Sequence, residues 1–88
     1  MDVTLSHQKN PAIGWDVTVV AKAGSGEGIS RVEVLVNGSS RASENFNPPA
    51  SQWQKVLTQQ GQYPGNNKVE VRVTDSKGNQ TTSYDEWS

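Results

Sequence analysis

Valine occupies every second position in three separate stretches of this chain: Val17 and Val19 within residues 15–23, Val32, Val34 and Val36 within 29–36, and Val69, Val71 and Val73 within 68–75. A period of two sends these side chains to one face of an extended strand and their polar neighbours to the other. Valine is also stiff at χ1 and packs well on a pleated surface. Eleven of the 17 Ile, Leu, Val and Phe residues are valine, so what this chain has to bury, it must bury from strands. The pattern predicts an all-β fold. With 88 residues it predicts one domain, 1–88, since single domains cluster near roughly 100–150 residues.

The remaining segments fit the same frame. Residues 2–6 alternate Val3 and Leu5 with polar neighbours and form a short first strand, ended by a turn at His7-Gln8-Lys9-Asn10-Pro11. In the second strand Trp15, Val17, Val19, Ala21 and Ala23 share a face, and only Val20 breaks the alternation. Asn37-Gly38 is a hairpin signal, because both residues tolerate the left-handed backbone of a type I′ turn, and residues 39–44 return as a polar edge strand. Asn47-Pro48-Pro49 removes two successive ladder donors. The chain is therefore expected to leave the sheet there and re-enter near residues 53–58, in the other sheet. A turn at 61–67, a second at 75–79 and a final strand from Gln80 to about Glu86 bring the total to about seven short strands, at the spacing of a β-sandwich. The expected core is the eight valines above with Trp15 and Trp53.

Several classes of function lack their signature. Eight Lys and Arg against nine Asp and Glu give a net charge of −1, and acids and bases alternate along the strands, so no basic stripe marks a nucleic-acid partner. No run approaches the roughly 20 apolar residues of a membrane span, and membrane insertion is not expected. The first residues lack the apolar core of a signal peptide, and the chain reads as a mature fragment excised from a larger protein, with Met1 an added start residue. There is no cysteine, which removes disulfides, thiolate zinc sites and cysteine nucleophiles.

Two segments carry a family pattern: Gly28-Ile29-Ser30-Arg31-Val32-Glu33-Val34-Leu35-Val36-Asn37-Gly38 and Val69-Glu70-Val71-Arg72-Val73-Thr74-Asp75-Ser76-Lys77-Gly78-Asn79. They resemble bacterial immunoglobulin-like (Big-type) domains, near the polycystic-kidney-disease-like and fibronectin type III sandwich modules. The resemblance implies an immunoglobulin-like antiparallel β-sandwich, with the first motif a central strand entering its hairpin and the second the penultimate strand with its Asp-x-x-Gly-Asn turn. It further implies a non-catalytic structural, spacer or presentation module of an exported bacterial protein such as an adhesin or a polysaccharide-degrading enzyme. Such a module lies outside the cell or at its surface, and its partners are the neighbouring domains of the parent chain. The antibody-type Cys pair is absent, and the Pro48-Pro49 segment and the Asn/Gln-rich stretch 52–67 depart from the pattern.

Candidate chemistry is sparse. His7 is the single histidine; in a turn with nothing to orient it, it makes no catalytic base, and no serine lies in a nucleophile-elbow context. Asp85 and Glu86 are adjacent, so a strand sends them to opposite faces. No enzymatic activity and no cofactor are expected. Calcium would need six to eight oxygens, and the turn Asp75-Ser76-Lys77-Gly78-Asn79 offers two; Asp2, Asp16 or Glu27 would have to complete the set, and no metal site is expected. An adhesin-type Lys–Asn isopeptide bond has Lys22 and Asn79 as its nearest candidates, with Lys22 on the polar face of its strand. Carbohydrate binding is the sharper alternative, because sugars stack on exposed aromatics and hydrogen bond to nearby amides. Tyr63 and Trp87, with Asn66 and Asn67, are the residues expected to carry such a polysaccharide site. A third reading is adhesion by strand addition at the edge formed by residues 39–43; otherwise the domain is expected to be monomeric.

Overall fold

Each valine run becomes a strand whose valines disappear from solvent. The computed structural model describes residues 1–60 and 66–87, and these contain seven strands: β1 (Asp2–Lys9), β2 (Trp15–Lys22), β3 (Ile29–Val36), β4 (Ser39–Ala50), β5 (Gln52–Gln60), β6 (Asn67–Asp75) and β7 (Gln80–Trp87). All pairings are antiparallel, in a three-stranded sheet of order β1-β2-β5 and a four-stranded sheet of order β4-β3-β6-β7. The sheets face each other with β1 over β7, β2 over β6 and β5 over β3. This is an immunoglobulin-like β-sandwich. Its fourth strand sits beside β3, whereas the constant-type arrangement places that strand in the other sheet.

The core is the layer between the sheets. Val32, Val34 and Val36 of β3 lie directly opposite Val73, Val71 and Val69 of β6, and all six are at most 3% exposed. Val17, Val19 and Ala21 of β2 complete the facing wall, joined by Ile29 and Leu57. Each fully buried aliphatic side chain of this size is worth about 1.5–3 kcal/mol relative to exposure. Trp15 and Trp53, expected in the core, are half-buried at its margins. Val20, out of phase with its neighbours, lies half-buried on the outer face opposite Thr4 and Gln54.

The proline segment does not end β4. Ile29 pairs with Ala50 and Arg31 with Asn45, so the intervening residues 46–49 bulge out of the ladder and pairing resumes beyond them. Pro48 and Pro49 fall inside the bulge of an edge strand, where a missing N–H costs no ladder bond; the Asn47–Pro48 peptide is cis. The chain changes sheets only at Ser51, whose carbonyl accepts from the Ala23 amide at 2.9 Å. Gly28 is buried beneath this bulge. A Cβ there would come within 2.6 Å of the Cβ of Pro49, so the crossing needs glycine for space.

Gly28→Ala is therefore expected to lower the free energy of unfolding by about 1–3 kcal/mol through overpacking, read from urea denaturation. Val56→Thr, at a side chain 51% exposed on the outer face, should change it by no more than about 0.5 kcal/mol.

Candidate functional site

The single histidine is not in a turn. β1 stays paired with β2 as far as Lys9 opposite Trp15, and the reversal is delayed to residues 10–14. There the Asn10 amide donates to the Gly14 carbonyl at 3.0 Å, the Asn10 side-chain oxygen accepts from the Ala12 amide at 2.8 Å, and Gly14 takes φ 71°. His7 thus becomes a strand residue opposite Val17, which turns its ring toward the gap between the sheets.

At that edge the sandwich is polar. Opposite the β6 valines, β7 presents Thr81, Ser83 and Asp85, so the β7 side of the seam carries hydroxyls and a carboxylate, while β1 contributes Val3 and Leu5 beside His7. The His7 ring stacks on Trp87 at 4.4 Å between centroids and 14° between planes, meets the edge of Trp15 at 5.4 Å, and approaches Asp85 Oδ2 through Nδ1 at 2.5 Å. Trp15 and Trp87 stand 5.6 Å apart. The histidine and aspartate side chains keep 30% and 26% exposure. Among the described residues Asp85 is the one hydrogen-bond partner of the ring. The arrangement fastens β1 to β7. The Trp87 indole N–H is buried with no hydrogen-bond partner among the described residues, so stacking sets the orientation of that ring.

The opposite edge is fastened in a related way. Trp53 of β5 donates its indole N–H to Glu44 of β4 at 2.6 Å, which joins the two edge strands across the layers. A half-buried tryptophan thereby keeps a polar partner.

The other residues expected to carry chemistry are placed as follows. Tyr63 lies outside the described residues. Asn66 is exposed, whereas Asn67 is 2% exposed and its side-chain oxygen accepts from the Asn37 amide group at 3.1 Å. Asn67 and Trp87 are cross-strand partners, but Asn67 turns to Asn37 and the Trp87 ring to His7. Lys22 is exposed on β2 with Asp2 and Gln52 beside it, and Asn79 is exposed in the β6–β7 turn. Asp85 points inward and Glu86 outward opposite Lys68.

The Asp75 carboxylate serves its own turn. One oxygen accepts from the Lys77 and Asn79 amides at 2.9 and 2.8 Å, and Gly78 takes φ 88°. Burial pulls the carboxyl upward, but the amide hydrogen bonds from Asn79 and Lys77 outweigh it and hold its pKa below the ordinary 3.8. Asp16 is engaged by the Asn10 side chain and the Gln59 amide, and Glu27 by the Gly24 amide and the Met1 ammonium. Among the described residues no three of His, Cys, Asp and Glu group as metal ligands would.

One exposed aromatic was not expected. Tyr84 is 62% exposed on the outer face of the four-stranded sheet, with the Lys68 ammonium 4.8 Å from its ring centroid. Alternation would have found it: once Asp85 and Trp87 point inward, Tyr84 must point out. Beside it lies a shallow groove of about 220 Å³ lined by Leu35, Gly38, Lys68, Glu70 and Arg72. No family model, curated protein or solved structure matches this chain.

Two measurements follow from these contacts. A double-mutant cycle of His7→Ala and Asp85→Ala should give a coupling of about 0.5–2 kcal/mol, and a coupling of zero would make the clasp incidental. For Asp75, a folded pKa below the unfolded one means that the unfolded chain binds the proton more readily. Its contribution to stability is thus complete above pH 3.8 and lost as pH falls through the lower folded value. Asp75→Asn should accordingly shrink the loss of melting temperature between neutral pH and roughly pH 2–3.

Proposed function

We propose that this domain is a non-catalytic spacer or presentation module, one link in an exported bacterial multidomain protein. The observation that carries the reading is the placement of its two ends. Asp2 pairs with Lys22 at the end that holds the loop 23–28 and the turn 75–79, whereas Trp87 pairs with Asn67 at the opposite end, beside His7 and Trp15. The chain enters at one pole and leaves at the other, along the longest of three extents of 41 × 19 × 17 Å. A module built this way adds length whenever it is joined to others, and the clasps at both open edges of the sandwich resist shear of one sheet over the other.

The edges themselves support a monomeric link over adhesion by strand addition. Glu44 on β4 and Lys55 on β5 occupy inward-facing positions of edge strands, opposite Val32 and Val19, and β4 carries the proline bulge. Inward charges and bulges are devices by which sheet edges avoid pairing with other chains. The exported, bacterial setting and the neighbouring domains as partners rest on the resemblance of the two motifs to bacterial immunoglobulin-like domains.

Two copies joined head to tail should show, by small-angle X-ray scattering, a maximum dimension longer by about 41 Å than one copy, with each species monomeric in sedimentation. A tandem pair folded back to the length of one copy, or a single domain that dimerises as its concentration rises, would overturn the spacer reading.

A further inference from the structure

We propose that the outer face of the four-stranded sheet, around Tyr84 and the adjoining groove, binds a neutral polysaccharide whose pyranose rings carry equatorial hydroxyls. Three features meet there on rigid strands. Leu35, Glu70 and Tyr84 form one cross-strand row through β3, β6 and β7, so the aromatic ring and the groove are neighbours by register and not by loop placement. The Lys68 ammonium lies over the tyrosine ring, and the residue is 62% exposed, which leaves aromatic surface to solvent for stacking. An all-equatorial pyranose presents flat patches of axial C–H groups, which suit such a face.

The groove supplies the polar complement. Glu70 can accept, Lys68 and Arg72 can donate, and Leu35 and Gly38 complete the lining with apolar surface. At about 220 Å³ it is smaller than the roughly 300–1,000 Å³ that encloses a drug-sized ligand. It suits one ring of a chain lying across the sheet, next to the ring stacked on Tyr84. Charge selects a neutral chain: Arg72 is already held by Glu70 at 2.7 Å and Glu33 at 4.0 Å, and Glu86 stands opposite Lys68. An anionic polymer gains no net attraction from this set. A peptide strand gains little either, since a sheet face, unlike an edge, presents no free ladder groups.

This site is independent of the spacer role, and it is not the Tyr63 and Trp87 site expected from the sequence. Titration of cellohexaose or xylohexaose into the ¹⁵N-labelled domain, to about 5 mM, should move the amide signals of Glu70, Tyr84 and their row neighbours, with a dissociation constant of about 0.1–1 mM. Tyr84→Ala should weaken binding at least about tenfold and Tyr84→Phe by no more than about twofold, because the ring and not the hydroxyl makes the stack. Both substitutions lie on the surface, and an otherwise unchanged spectrum verifies that each variant is folded. The proposal is overturned if neither neutral oligosaccharide moves these signals, if Tyr84→Ala binds as well as the parent, if the shifts fall on other residues, or if a polygalacturonate oligomer alone produces them.

Discussion

Three valine–valine rows between β3 and β6, closed over by Val17, Val19 and Ala21 of β2, are the contact on which everything else in this domain depends. The layer is narrow and built almost wholly from β-branched side chains, which lose little χ1 freedom on burial in a strand. At the margins of this layer stand the three tryptophans and the histidine.

The margins divide the work. At β1 and β7 the histidine stacks on one indole, meets the edge of another and hydrogen bonds to Asp85. At β4 and β5 an indole N–H reaches a glutamate. In both places an aromatic body covers the end of the aliphatic layer while a carboxylate at the solvent boundary takes its polar edge. These groups are partly exposed, which lowers the desolvation cost of the carboxylates and lets the seams be polar without orphaning charge. The histidine and aspartate thus take part in closing the fold, and among the described residues the exposed aromatic is Tyr84, on the outer face.

Alternation made much of this legible in the residues themselves. The eight valines named from their spacing are the buried ones, the Asn37-Gly38 reversal is where it was read, and Asp75 bonds forward to its own turn. Legibility failed where the information is not local. Pro48 and Pro49 predict an exit from the ladder only if every N–H in the strand is needed, and on an edge strand with a bulge it is not. His7 reads as a turn residue because Pro11 is near, but β2 continues to pair with β1 past it. Tyr84 is not marked by the sequence because the final strand has no valine run to set its phase; that phase follows from Trp87 only once its ring is packed against His7.

Most of the strands, their buried faces and the Asn37-Gly38 and Asp75–Asn79 turns follow from local sequence, since a period of two and the backbone freedom of Asn and Gly are local properties of the chain. Tertiary structure alone decided which strands became edges, that β4 would join β3, and that a histidine and an aspartate 78 positions apart would meet between two indoles. Those outcomes depend on how two sheets stack and which ends coincide. The energy that settles them comes from contacts between segments distant in the chain, which no window of neighbouring residues contains.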